Sequence, residues 1–340
     1  MSESVLVAMS GGVDSSVAAA LLVDRGHDVV GVTLKLWGGD TDSGCCSVAD
    51  VEDARRVAAQ LGIDHYVFNL TDDFSRHVVE PYAAAYASGR TPNPCVECNR
   101  TIKFGRLVER AEAMGFDRVA TGHHARVARG RHGYEVRRGV DPAKDQSYVC
   151  YMLGQRELER TLLPIGELTK SEVRAHAAGF GLRTADKAES MDVCFVRRED
   201  RVDFVNRRTK PRPGRIVDRA GSTLGAHDGV GAFTIGQRRG LGVPTGARCY
   251  VVDIDATTAT VTVGSRAELL RSDVELTDLV LTAAPVAGRL QAQTRAHGTP
   301  VDATLRDTRV EFASPQPRVA PGQVVALYDG DVVVGGGLAA

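Results

Sequence analysis

Ser10-Gly11-Gly12-Val13-Asp14-Ser15 lies between an apolar run, Val5–Ala8, and a stretch with helical patterning, Ser15–Arg25. Glycines at such a turn bring backbone N–H groups close to an anion, and the helix start adds partial positive charge. The Ser10 and Ser15 hydroxyls can donate to the same oxygens, so the loop suits a phosphate chain. Asp14 is out of place beside an anion unless it holds Mg2+ or caps the helix. The Gly-Lys-Ser/Thr ending of the common phosphate loop is missing, and no lysine stands nearby in the chain. A plain Gly-rich turn with Asp14 or Ser15 as N-cap is the alternative.

Cysteines are the second chemical resource. Thr91-Pro92-Asn93-Pro94-Cys95-Val96-Glu97-Cys98-Asn99 begins as a stiff loop, and the pattern after it predicts a helix over Ile102–Met114. A thiol with a pKa near ~8.5 is mostly protonated at neutral pH. A helix N-terminus, with Arg100 and Lys103 within a turn, is expected to lower that value at Cys98 and make it a nucleophile. Cys95-x-x-Cys98 also resembles half of a zinc site or a redox pair, but no second ligand pair appears at matching spacing. Cys194, in Ser190-Met191-Asp192-Val193-Cys194-Phe195, reads as a buried thiol or as a second reactive one.

The elements that must position these residues alternate strand and helix. Strands are expected at Val5–Ala8, Val29–Leu36, Tyr66–Asn69 and ending at Val119–Ala120, with helices at Ser15–Arg25, Val51–Leu61 (closed by Gly62) and Phe74–Ala87. This is the pattern of βαβ units and a parallel sheet, whose ligands sit beyond the carboxyl ends of the strands. Ser10–Ser15 and Thr121–His123 both fall there. Lys210-Pro211-Arg212-Pro213-Gly214 marks a boundary, after which come short alternating segments from Arg215–Val217 to Val332–Val334, the texture of small β-domains or barrels. The fold class is α/β, with domains expected at 1–203, 204–272 (small, central) and 273–340 (C-terminal, β-barrel-like).

With 340 residues, 43% hydrophobic and 25% charged, the chain has length for two or three domains. Met1–Ser4 has no basic leader, Val5–Ala8 is too short for a signal segment and no apolar run spans a bilayer, so a cytoplasmic protein away from membranes is expected. The seven cysteines are unevenly spaced, which argues against a disulfide scaffold. Net charge is −1, yet eight Lys/Arg against three acids lie between Arg197 and Arg215. That stretch is either a solvated linker or a contact for a polyanion.

The six-residue loop resembles that of the PP-loop ATP pyrophosphatases. Taken with GRTPNPCVECN (Gly89–Asn99), IKFG (Ile102–Gly105), ATGHHA (Ala120–Ala125), KDQSY (Lys144–Tyr148), VCF (Val193–Phe195), FTIGQRRGLG (Phe233–Gly242), PGQ (Pro321–Gln323) and GGG (Gly335–Gly337), the whole chain resembles the bacterial tRNA-specific 2-thiouridylases. The resemblance implies that Ala8, Met9, Ser10, Gly11, Gly12, Val13, Asp14 and Ser15 hold ATP, with Leu34 and Gly122 on the adenine side and Asp14 as a Mg2+ contact. It implies Cys98 as nucleophile and Cys194 as persulfide carrier. Lys144, Asp145, Gln146, His123, Arg295 and Gln323 are implied tRNA contacts, and Asn93, Pro94 and Cys95 would meet the target base. The chain departs from several relatives at Cys95, where they carry Asp, and at His124, where Tyr is frequent and to which no role is assigned. Expected partners are tRNA and a sulfur-carrier or cysteine desulfurase relay protein, and a monomer is expected. Amidating or lysidine-forming PP-loop synthetases are the nearest rivals, but they have no use for two reactive cysteines. A nucleotide-binding regulator without chemistry is the rival of another class.

Overall fold

The computed structural model describes residues 2–38, 47–188, 193–243, 248–282 and 288–340. Cys45, Cys46 and Ser190–Asp192 lie outside the described residues. Strands β1 (Ser4–Ala8), β2 (Asp28–Lys35), β3 (His65–Asn69), β4 (Arg118–Ala120) and β7 (Thr161–Leu162) form a parallel sheet in the order β3-β2-β1-β4-β7. β1 is apolar at Val5, Leu6 and Val7 because both of its faces are covered. Val5 and Val7 pack on α1 (Val13–Asp24), α2 (Val48–Leu61) and the Lys170–Gly179 helix, while Leu6 joins Val32, Leu34, Phe74, Tyr82 and Cys98 on the other side. The chain runs from β1 outward to β2 and β3, then returns to the opposite side at β4. The crevice where the order reverses lies beyond the ends of β1 and β4, where ligands of such sheets bind.

Two helices differ from the sequence expectation. Cys98 does not precede its helix. An α-turn begins at Pro94 (Pro94–Glu97), widens into a π-helix over Cys98–Arg106 and returns to α over Leu107–Ala113. Pro94 at the first position and the Asn93 side chain, which accepts from Cys95 N at 3.0 Å, supply the start signal inside what reads as a loop. Gly105 allows the wide turn, since a Cβ there would stand 2.8 Å from the Arg100 carbonyl oxygen. The helix before it likewise contains a π-turn, Ser75–Val79, ahead of Glu80–Ala87.

The second sheet has the order β10-β11-β8-β9, formed by β8 (Gly214–Val217), β9 (Thr223–His227), β10 (Tyr250–Asp255) and β11 (Thr260–Gly264), around Ile216, Phe233, Val251 and Val261. The third closes on itself. β12 (Leu270–Leu281), β15 (Arg309–Pro317), β14 (Val301–Arg306), β13 (Leu290–Gln293), β16 (Val324–Asp329) and β17 (Val332–Ala339) pair in that order, and β17 pairs back to β12 with Leu276 opposite Ala339. The barrel-like domain expected from the short alternating segments is therefore a closed six-stranded barrel.

A hairpin absent from the sequence reading joins this barrel to the first sheet. β5 (Ala125–Gly130) and β6 (Gly133–Arg138) follow ATGHHA directly, and β6 pairs antiparallel with β17 through Arg137–Val332 and Val136–Val333. The continuous apolar run of β16 now has its reason. Val325 and Leu327 face the barrel interior, while Val324, Ala326 and Tyr328 pack with Val96, Phe104, Tyr148 and Tyr151 of the first domain. Gly336 on β17 is required by the same contact, because a Cβ would lie 2.6 Å from Val325 O and 2.8 Å from the Tyr151 ring.

Candidate active site

The loop after β1 is a cradle built from backbone. Gly11 has φ +73°, a left-handed conformation that favours glycine, and a Cβ on it would collide with the Asp50 carbonyl at the start of α2. Gly12 is the N-cap of α1 and offers no side chain, so the first-turn N–H groups have no capping oxygen. Ser15 Oγ accepts from Ser10 N at 3.1 Å and lies 3.3 Å from Ser10 Oγ, which closes the loop over both hydroxyls. Ser16 Oγ donates to Gly12 O at 2.8 Å. Gly122, at the end of β4, roofs the helix start, since a Cβ would stand 2.6 Å from Ser15 N. Met9 and Val13 are buried beneath the loop, while half-buried Ala8 and buried Leu34 pack on the opposite face of the sheet. These groups fit a phosphate chain.

Asp14 is not the cap of α1, whose N-cap is Gly12, and it has two basic neighbours. Lys170, 156 positions away on the first turn of the Lys170–Gly179 helix, sets its ammonium 2.7 and 2.8 Å from the two Asp14 oxygens. His124 Nε2 lies 3.2 Å from Asp14 Oδ1. Burial pushes the Asp14 carboxyl upward, but the hydrogen bonds from His124 and Lys170 outweigh it and hold the group below the usual carboxylate range. A lysine is thus brought to the loop by a distant helix, whose Thr169-x-x-Glu172 capping box fixes its start. Among the described residues no group of three or more His, Cys, Asp or Glu is placed to hold a metal ion by protein ligands alone, whereas Mg2+ at a phosphate chain takes only one or two carboxylates.

The remaining motifs converge through hydrogen bonds. Gln146 Oε1 accepts from His124 N at 2.9 Å, and Gln146 N donates to His124 O at 2.8 Å. Asn99 Nδ2 donates to Val149 O at 2.9 Å, which ties the Cys98 helix to the KDQSY segment. Tyr148 Oη donates to Val324 O at 2.7 Å, and Thr91 N donates to Pro321 O at 2.7 Å, which bring the PGQ turn against Arg90–Thr91, just ahead of the Asn93 cap. Arg295, exposed on the loop after β13, lies close enough to Tyr148 for its charge to act there. Two members of the set hold internal contacts. Asp145 accepts from Gly139 N, Ser147 N, Ser147 Oγ and Arg138 Nη1, all at 2.9–3.0 Å. His123 is buried beside Phe104, 2.7 Å from Thr121 Oγ1, and burial with the nearby Lys103 charge pushes its pKa well down, leaving a neutral ring. Lys144 is half-buried in the same turn.

Cys98 and Cys194 meet on one apolar cluster. Cys98 is buried with Leu6, Leu34, Phe74, Tyr82 and Phe195, and half-buried Cys194 packs against the same group. Phe195 anchors the second thiol, with its ring 5.6 Å from Phe74 and 5.2 Å from Tyr82. Cys98 sits one turn inside its helix, whereas dipole effects fade beyond the first turn, so the helix start acts on Cys95 instead. Arg100, expected to assist Cys98, lies 3.7 Å from Glu97. Cys150 is wholly buried, and burial pushes its thiol up to about 12, which removes it as a nucleophile.

Part of the basic stretch is structural. The Arg208 guanidinium lies 3.8 Å over the Phe204 ring and 5.6 Å over Trp37, and Arg201 lies 4.5 Å over Tyr86 while donating to Gly231 O at 2.8 Å. Arg212 donates to Thr257 O at 2.7 Å. Arg197, Arg198, Arg207, Lys210 and Arg215 stand exposed.

Among known proteins, residues 3–198 match the family described as tRNA methyl transferase HUP domain, 202–265 the tRNA methyl transferase PRC-barrel domain and 272–339 the Aminomethyltransferase beta-barrel domain. The chain is 47% identical to the tRNA-specific 2-thiouridylase MnmA of Herpetosiphon aurantiacus, covering 98% of this chain and 97% of that one. It is 48% identical to the protein of the same name from a Roseiflexus species, covering 98% of both. Likeness on this scale, carried from the phosphate cradle through both cysteines to the last barrel strand, means that the chain belongs to the tRNA-specific 2-thiouridylase family.

Proposed function

We propose that this enzyme replaces the C2 oxygen of the wobble uridine of tRNA by sulfur, using ATP and releasing AMP and pyrophosphate. The observation that carries the reading is the meeting of Cys98 and Cys194 on one cluster directly beneath the strands that bear the phosphate cradle. The C2 oxygen is a poor leaving group. Its attack on the α-phosphorus expels pyrophosphate and turns it into an adenylate that departs as AMP. Ser10–Ser15 and Lys170 grip the phosphates, and ATP brings Mg2+ as its own complex.

Sulfur arrives from a carrier or desulfurase relay protein as a persulfide on Cys194. In one order the terminal sulfur attacks C2 and expels AMP, and the Cys98 thiolate then attacks Cys194 Sγ, breaking the S–S bond. In the other, Cys98 attacks first and the released hydrosulfide attacks C2. Both orders reduce the transferred sulfur, oxidise the two thiols to a Cys98–Cys194 disulfide and require a cellular reductant to reopen it. The wobble base is single-stranded, so turning it into the cavity costs little. In this reading Asn93, Pro94 and Cys95 meet that base, and Arg295, Gln323 and Lys144 contact the tRNA around it. Nucleoside mass spectrometry of tRNA incubated with ATP and a persulfide donor tests the reading. Methylated uridine, or ATP binding without tRNA-dependent pyrophosphate release, would overturn it.

The exposed cations supply a second test. Arg207→Glu with Lys210→Glu is expected to weaken tRNA binding and lower the slope of log K against log salt by about 1–2, with ATP affinity unchanged. Arg208→Glu, by contrast, removes the stack on Phe204 and Trp37 and is expected to lower thermal stability as well. An unaltered salt slope in the double variant means that those charges serve solubility alone.

A further inference from the structure

Lys187 stands seven residues before Cys194. Its ammonium lies 2.7 Å from Asp50 Oδ1 and 2.7 Å from Asp53 Oδ2, two carboxylates at the start of α2. That helix start is built against the phosphate cradle. Ser47 Oγ caps Asp50 N at 3.1 Å and donates to Asp50 Oδ2 at 2.7 Å, while the Asp50 carbonyl occupies the space beside Gly11 where a Cβ would stand. The backbone of Lys187 is held too. Its N–H donates to Thr184 O at 3.1 Å, and its carbonyl accepts from Arg174 Nη2 at 3.2 Å. Arg174 belongs to the helix that begins with Lys170, the partner of Asp14.

The chain leading to Cys194 is thus tied at its upstream end to both walls of the cradle. At its downstream end Phe195 is locked into the aromatic cluster beside Cys98. Seven residues span at most ~25 Å when fully extended, so the Lys187 tie limits how far Cys194 can stand from α2.

We propose that Lys187 is a positioning residue for sulfur transfer, fixing the Cys194 segment to α2 and hence to the nucleotide loop. The proposal rests on the thiolation reading above. It separates two quantities that an ordinary stabilising ion pair moves together, pyrophosphate released and 2-thiouridine formed.

The experiment measures both products in single turnover, with Cys194 persulfide loading followed by intact mass. In Lys187→Met, loading and tRNA-dependent pyrophosphate release are expected to stay within about 3-fold of wild type, while thiouridine formed per pyrophosphate falls about 10-fold or more, the scale on which small misplacements reduce rates. Lys187→Arg is expected to restore the ratio. Asp53→Asn, which leaves the Ser47–Asp50 cap intact, is expected to lower it less, and serves if Lys187→Met folds poorly. A ratio unchanged in these variants, whether both products persist or fall in parallel, overturns the positioning role. A wild type that releases pyrophosphate but makes no thiouridine overturns the functional reading itself, and this proposal with it.

Discussion

Cys98→Ser and Cys194→Ser are each expected to abolish 2-thiouridine formation, with the two variants stopping at different points. Without the Cys194 thiol no sulfur is accepted at that site, and the donor persulfide stays on its carrier. Without Cys98 the Cys194 persulfide loads but is not resolved, so it accumulates and is seen by intact mass. Pyrophosphate release is expected to survive in both, because adenylation of the base uses neither thiol. The effect on product exceeds ~100-fold, the loss expected when a covalent relay is broken. Wild type after one turnover without reductant is expected to carry a Cys98–Cys194 disulfide, which requires Cα atoms within ~7 Å at that stage. Packing of both residues on one cluster around Phe195 favours such an approach. Cys95→Ser keeps substantial activity, since Cys95 sits at the capped helix start outside that cluster. A Cys95–Cys98 disulfide as the sole turnover product, with Cys194 still a thiol, would overturn these assignments.

Lys170→Met is expected to lower tRNA-dependent pyrophosphate release ~100-fold or more, the range for losing a charge aimed at a reacting phosphoryl group. Stability falls as well, by about 1–2 kcal/mol, because Asp14 keeps only His124 and remains partly shielded from water. In wild type the Asp14 carboxyl is held below its unfolded value. Its contribution is complete above that value and is lost as pH falls through the folded one, whereas in the variant the loss begins at higher pH. The double variant Asp14→Asn, Lys170→Met separates the effects. It recovers most of the stability, since no carboxylate is stranded, but not the pyrophosphate release. Near-normal release by Lys170→Met, measured with saturating tRNA, would remove the lysine from the phosphate site.

Much of the cradle is legible in sequence because its determinants are local. Gly11, Gly12 and Ser15 act within one turn between β1 and α1, and the βαβ alternation follows from hydrophobic period alone. What escaped depends on distance along the chain. Nothing near Asp14 announces Lys170, and the only local hint was the capping box that starts its helix. Asn93-Pro94 reads as loop because proline opposes helix interiors, yet the same two residues are a cap and a first helical position. Arg208 counts as a phosphate contact in a charge tally, and only tertiary packing reveals the aromatic ring beneath it. The β5–β6 hairpin escaped because its short, charged strands gain their apolar partners from β17, nearly two hundred residues later.

That hairpin bears on how such an enzyme can be rearranged by recombination. The barrel spans 272–339 as a stretch of sequence, yet its sheet continues into 125–138. A chimaera that exchanges the C-terminal stretch alone mates a foreign β17 to a resident β6, and leaves Tyr151 facing a glycine it was not matched to. The heritable module is therefore split, one part at the end of the chain and the other between ATGHHA and KDQSY. Grafts that carry both parts preserve the seam, so crossovers between relatives are expected to survive at the borders of this discontinuous unit and not at the start of β12 alone.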